Sequence, residues 1–448
     1  MKKAIFSILA VILTLSLVSC GPAGTVTLTQ TETRTVTDTI TQEVTQTQTE
    51  TIFERYGQLL KSDKAYNASP DVSDDILETL INGNNEFAFD LYKQIIAEED
   101  GNLFYSPYSI SLAFAMLYAG AAGETKEQMA DVFHFDLDDE ELNAAFNKLA
   151  LELAGRGADE ETDTFILNIS NALWAQKGFD ILPGFLDTLS ENYDAGMRLL
   201  DFNNEVEAAR QIINSWISDQ TEGRIDELIA EGDLDPSTLL VLTNAIYFKA
   251  EWFAPFIEEK TQDAQFTLLD GSTVTVSMME QDMSFNCTEG SNYQAIELNY
   301  EGHDFSMVIL LPGYGEFEEF EASLDAQKVS EIIHNMDGHA VTLSMPKFNY
   351  ESDIRLEQIL EDMGMPNAFG PADFSRMSPV PGLYIIDAAH KALISVDELG
   401  TEAAAATWVA VAGLTSNEFT MDRPFIYLIR DKETNTILFV GRVMNPAE

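Results

Sequence analysis

Apolar and polar positions follow three rhythms along this chain, and each marks a different kind of segment. Ala4 to Val18 is an almost unbroken apolar block. From Thr25 to Thr51 nearly every odd position is Thr, with Gln and Glu in most gaps and no aromatic residue. From Asp74 onward the spacings are those of packed helices and strands. Asp74 to Glu98 carries Ile76, Leu77, Leu80, Phe87, Phe89, Leu91 and Ile95, which predicts a first helix or helix pair. Ser106-Pro107 opens another helix that runs through Leu112 to Ala119. Gly120 to Gly123 breaks it, and Thr125-x-x-Gln128 predicts a capping box for the next. Thr164 to Gln176 alternates and reads as a strand. Leu239 to Phe248 is apolar apart from Thr243 and Asn244, which suits a central strand buried on both faces. An amide in such a strand needs partners, because unpaired burial costs about 1–3 kcal/mol. His390, one of five histidines, is a candidate partner.

The segment from Val396 to Arg423 fits either loop or strand. Gly400 precedes the helix-forming run Ala403 to Ala406, but β-branched Thr407, Val409 and Val411 follow it. In a strand, Thr401, Ala403, Ala405, Thr407, Val409 and Val411 would share one face. All are small or β-branched and none is charged, and no Pro falls between Gly400 and Leu414. Such a segment can enter the middle of a sheet.

The N-terminal block follows Lys2 and Lys3 and ends in Leu17-Val18-Ser19-Cys20, the form of a secretory signal. At 15 residues it is short for a spanning helix, which needs about 20. The Cys resembles that of a bacterial lipobox, implying a signal peptide over 1–20 and a lipid on Cys20. Residues 21–73 read as a tether and lead-in, of which Gly21 to Thr51 is solvated and too poor in apolar groups to form a core; Val36, Ile40 and Val44 leave a short helix open. About 30 extended residues reach on the order of 100 Å. Residues 74–448 form one folded region without a second linker or a repeat. The expected location is extracellular, at the cell surface, with membrane contact only through the lipid. With Cys20 lipidated, Cys287 is left without a disulfide partner.

The chain carries 75 acidic against 25 basic residues, a formal charge of −50, which becomes −52 once Lys2 and Lys3 leave with the signal. Such a surface repels nucleic acid and anionic membranes.

Glu398-Leu399-Gly400-Thr401-Glu402, the four alanines Ala403, Ala404, Ala405 and Ala406, and Thr407 resemble the hinge of the serpins, the serine protease inhibitor family. Further matching stretches are Ser106-Pro107-Tyr108-Ser109-Ile110, Asn214 to Ile225, Thr243-Asn244-Ala245-Ile246-Tyr247-Phe248-Lys249 with Trp252, Tyr300 to Pro312 and Arg423-Pro424-Phe425. The resemblance covers about Asp74 to Pro446. It implies an α+β serpin fold: three β-sheets, a helical layer, and an exposed reactive-centre loop that can insert into the central sheet. It also implies that Ser106, Ser109, Asn244 and His390 form a shutter between central strands. Trp252 would sit at the top of that sheet, and Lys347 would pair with Glu398 near the insertion point. The reactive bond, counted from the hinge, is Leu414-Thr415.

A hydrolase would need a nucleophile, and Ser106, Asp387 and His390 are a nominal trio, but any chain of this size holds one. No Gly-x-Ser-x-Gly, His-Glu-x-x-His or Cys-x-x-Cys is present. The resemblance implies an inhibitor that is not an enzyme, expected as a monomer, with no cofactor or metal. Its partner would be a serine protease of chymotrypsin-, subtilisin- or elastase-like specificity, or a cysteine protease. The alternative is a non-inhibitory serpin-fold surface lipoprotein acting as a binder or a protease substrate. Thr401→Arg is a sequence-level test, expected to spare cleavage and abolish trapping.

Overall fold

The computed structural model describes residues 13–18, 25–36, 40–51, 55–156, 165–401 and 417–448. Near the N-terminus, β1 (Leu13–Val18), β2 (Thr25–Val36) and β3 (Ile40–Thr51) form an antiparallel sheet separate from the others. The backbone around Val36, Ile40 and Val44 thus takes strands and not a helix. Its register sets Thr27 opposite Thr49, Thr29 opposite Thr47 and Thr31 opposite Thr45, pairing residues of high strand preference.

The chain continues through β4 (Gln58–Leu60) into α1 (Asp74–Glu98), a single 25-residue helix capped by Ser73. Its Gly83 serves close packing and does not break the helix, since a Cβ there would lie 2.4 Å from the His134 carbonyl oxygen. Then come β5 (Leu103–Tyr105), α2 (Pro107–Tyr118), α3 (Gly123–Phe133) and α4 (Asp139–Ala154). The capping-box expectation at Thr125 is corrected. Helix α3 starts at Gly123, and its cap residue Ala122 makes no side-chain bond. Thr125 Oγ1 accepts from the Asp373 amide at 2.9 Å and Gln128 Oε1 from the Asn367 amide at 3.0 Å. Both side chains hold a distant loop, so tertiary partners outcompete the local cap.

Next are β6 (Phe165–Gln176), α5 (Pro183–Tyr193), β7 (Met197–Leu200), α6 (Phe202–Gln220) and β8 (Leu240–Glu251). After β9 (Gln262–Thr267), β10 (Thr273–Glu289), β11 (Tyr293–Asn299) and β12 (Phe305–Pro312) come the short helices α7 (Phe317–Ala322) and α8 (Ala326–His334). The chain ends with β13 (Asp337–Pro346), β14 (Phe348–Arg355), α9 (Leu356–Met363), β15 (Ile385–Val396), β16 (Gly400–Thr401), β17 (Asn417–Thr420), β18 (Phe425–Asp431) and β19 (Ile437–Val443).

Two large sheets dominate. The central one has seven strands in the order β14-β15-β16-β8-β6-β7-β4. The other has nine, running β17-β13-β10-β11-β12-β18-β19-β5 with β9 alongside β10. The 17-residue β10 makes this one continuous ladder, pairing first with β9, then β13, then β11. Every residue of β8 from Leu240 to Phe248 is buried, as a strand with hydrogen-bonded neighbours on both sides requires. Helix α2 packs on β6, β8 and β19, and so lies between the two sheets within the main core. A second apolar cluster lies under α6 on the opposite face of the central sheet.

Candidate functional site

The central sheet has a seam. Strands β15 and β8 run parallel over Ile385–Ala392 and Leu240–Ile246. Above that point they part, and β16 occupies the gap. Thr401 pairs antiparallel with Val396 on one side and Ala250 on the other, and Gly400 pairs with Glu251. One rung of a new strand therefore already stands between β15 and β8.

Local sequence makes the reversal that puts it there. Asp397 Oδ1 accepts from the amides of Leu399 (2.8 Å) and Gly400 (3.3 Å), and the Asp397 amide donates to the Gly400 carbonyl at 3.0 Å. This is a tight turn of the kind an Asp side chain stabilises. Gly400 is required by space: a Cβ would lie 2.2 Å from the Ala250 carbonyl oxygen and 2.7 Å from Glu251 Cα.

Trp252 and Glu398 tie the turn down. Trp252 donates from its indole to the Asp397 carbonyl (3.1 Å) and from its amide to the Leu399 carbonyl (2.8 Å). Its ring stacks on Tyr300 at 4.7 Å, and the Tyr300 hydroxyl meets Thr401 Oγ1 at 3.0 Å. Glu398 is 7% exposed, with Lys347 Nζ at 2.5 Å and Thr261 Oγ1 at 2.7 Å. Burial pushes the Glu398 carboxyl up, but the bonds from Lys347 and Thr261 outweigh it and hold the group below the usual glutamate range.

Lower on the seam, His390 and Asn244 are direct partners across β15 and β8. The Ser106 amide donates to His390 Nε2 at 3.1 Å, which leaves the proton on Nδ1 to donate to Asn244 Oδ1. Asn244 Nδ2 then donates to the Ser109 carbonyl (2.8 Å), Ser109 Oγ (2.5 Å) and Asn171 Oδ1. Ser106 Oγ caps α2 by accepting from the Ser109 amide at 3.1 Å. Complete burial pushes His390 down to about 3, so it is neutral at ordinary pH. One hydrogen-bonded cluster thus joins α2 to three adjacent strands of the central sheet.

The nominal trio of Ser106, Asp387 and His390 has no such geometry. Both His390 ring nitrogens are engaged elsewhere, and Asp387 faces Arg355 at 3.2 Å. Asn171 and Thr261 belong to the site although no sequence motif singled them out, and Tyr300 and Asp397 belong to it although the stretches that contain them gave neither a role. Asn171 had a signal, being polar and in phase with Phe165, Leu167 and Ile169 on an alternating strand. Glu402 to Thr407, Leu414, Thr415 and Cys20 lie outside the described residues.

Residues 82–446 match the family model described as Serpin (serine protease inhibitor). A serpin-like protein of Thermococcus kodakarensis is 42% identical over 396 residues, covering 86% of this chain and 91% of the relative. The leukocyte elastase inhibitor of Homo sapiens is 38% identical over 389 residues, covering 83% of this chain and all of the relative. The native-state crystal structure of the thermophilic serpin tengpin superposes with a TM-score of 0.76 at 30% identity, covering 86% of this chain and 97% of that one.

Proposed function

This chain belongs to the serpin family, and we propose that it is an irreversible suicide-substrate inhibitor of serine proteases that traps its target by inserting its own cleaved loop. The observation that carries this reading is the Gly400–Thr401 rung, antiparallel to both neighbours at the head of the seam. The residues that follow on the Thr401 face (Ala403, Ala405, Thr407, Val409 and Val411) are small or β-branched and uncharged, so the rung can extend downward.

The protease takes the loop as substrate. Its serine forms an ester with the Leu414 carbonyl while the amine of Thr415 leaves. The freed segment then zips between β15 and β8, exchanging one set of parallel hydrogen bonds for two antiparallel ladders, a pairing somewhat more stable per residue. Fifteen residues of strand would carry the attached enzyme about 50 Å. In serpins generally, loop insertion releases strain stored in the native fold, and here the seam and its first rung give it a place to start. The His390–Asn244 pair spans the path and must open first.

Leu414 as the cleaved residue favours a chymotrypsin- or subtilisin-like target. Val409-Ala410-Val411-Ala412-Gly413 ahead of it, and relatives named leukocyte elastase inhibitor, support an elastase-like one. A lipid on Cys20 and the segment up to residue 54 would hold the domain at the cell surface.

The test is incubation of the full chain with chymotrypsin, elastase and subtilisin, followed by denaturing electrophoresis and mass spectrometry. A denaturant-resistant covalent complex and a fragment starting at Thr415 are expected. Loop cleavage that leaves all three enzymes free and active would overturn the inhibitory reading.

A further inference from the structure

The N-terminal sheet changes when its first strand is removed. β1 lies within the apolar block that leader cleavage discards, and it pairs antiparallel with Thr27–Glu32 of β2, setting Leu17 opposite Leu28. β2 and β3 stay together, their twelve pairs running unbroken from Thr25 opposite Thr51 to Val36 opposite Ile40. A cut ahead of Cys20 therefore leaves a two-stranded ribbon whose β2 edge has lost its neighbour. Such a ribbon is marginal in water, and further strands are what secure it. The β2 edge also lacks the usual guards: Thr25–Val36 contains no Pro and no Lys, and its pairing with β3 shows no bulge.

The strand that fits this edge is the same strand of a second copy. Two antiparallel copies of β2, related by a twofold axis normal to the sheet, keep their faces on the same side. Each pair then joins positions whose numbers add to an even total, so the Thr rank of one copy meets the Thr rank of the other. Within that restriction, charge fixes the register. Arg34 is the only basic residue between Lys3 and Arg55, and it lies two positions from Glu32 on the same face. Centring the pair on Thr33 sets Glu32 of each copy opposite Arg34 of the other, with Thr31 opposite Thr35 and Gln30 opposite Val36. Centring it on Glu32 would bring like charges together. The outer edge of β3 carries Glu43 and Glu50 and no cation, so it has no equivalent match.

We propose that removal of the leader opens the β2 edge, and that two anchored copies then join through it in a four-stranded sheet of order β3-β2-β2-β3. This rests on the leader cleavage and lipid anchor proposed above. Before cleavage β1 occupies the edge, so joining waits on processing. Afterwards, two chains held on one membrane meet at a high effective concentration. The contact joins the anchors alone, since the strongly acidic folded regions repel one another.

The test uses the full chain with its leader, made in a bacterial host and carrying Cys287→Ser, so that an added cysteine is the only free one. Thr33→Cys places a thiol on the proposed axis, where the two Cα atoms stand about 4.5–5.5 Å apart, within disulfide reach. Thr47→Cys lies on the same face of β3, at least three strand spacings or about 14 Å from its copy. Membranes are oxidised with copper phenanthroline and run on a non-reducing gel, and mass spectrometry of the same samples shows whether the leader is gone. Thr33→Cys should give a band of doubled mass and Thr47→Cys should not. Arg34→Glu should weaken the association about tenfold by turning two attractive pairs repulsive, and Glu32→Arg combined with Arg34→Glu should restore it. No doubled band from processed Thr33→Cys chains, or an equal band from Thr47→Cys, would overturn the shared sheet and leave the anchor standing. A retained leader would overturn both. Cross-linking that ignores Arg34→Glu would overturn the register.

Discussion

His390 is the residue on which the seam closes. Neutral, it accepts at Nε2 from Ser106 and donates at Nδ1 to Asn244; a second proton on Nε2 would expel the Ser106 amide. Its proton affinity is lowered by burial from the ordinary 6.5 to about 3. Since the unfolded chain binds that proton more readily, the contribution to stability is complete above about pH 6.5 and is lost as pH falls toward 3. Urea unfolding across this window should show a slope of up to about 1.4 kcal/mol per pH unit that is absent from His390→Gln. Parallel profiles for the two proteins would rule the histidine out as the cause. Lys347 is a second residue-scale test. Lys347→Ala leaves buried Glu398 with Thr261 alone and should cost about 1–2 kcal/mol in urea unfolding, discounted because Lys347 is over one-third exposed. Glu398 titrates below its usual range, so this difference should be full above about pH 4.5 and shrink below it.

At the scale of elements, β16 changes what a hinge substitution means. Thr401 is already 1% exposed between β15 and β8 and bonded to Tyr300, so Thr401→Arg disturbs the native sheet as well as the inserted one. Ala405 is an alternate position in sequence from Thr401, so on the proposed insertion Ala405→Arg should leave folding intact and bury an unpaired charge only when the loop inserts, at a cost of several kcal/mol. The expected product is a chain cleaved at the parent rate that forms no covalent complex; equal yields of complex would remove the face argument. The seam and its loop were legible in part from the sequence. An amide in the apolar run Leu239–Phe248 announced its need for partners, and the uncharged alternate positions after Gly400 announced a strand-competent segment. What stayed hidden depended on contacts between distant parts of the chain. Thr125 reads as a cap until the Asp373 amide is brought to it, and no local spacing tells that Tyr56 lies under α6.

At the scale of the whole molecule, the net charge of −50 and the proposed lipid anchor on the N-terminal segment would, on the proposed function, govern where the protein works and what it meets. A surface so acidic should slow encounter with acidic proteases and favour basic ones, with the difference fading as salt rises. Cys20→Ala should move the protein from the membrane fraction to the medium, read by immunoblot of the two fractions. The central claim, that the loop joins the seam after cleavage, is tested most directly by melting the full chain before and after one cut in residues 402–416. Insertion replaces a single parallel pairing of β15 with β8 by two antiparallel ladders, so the cut chain should melt well above the intact one, and cut Ala405→Arg should not. A cut parent that melts at or below the intact temperature would contradict the account.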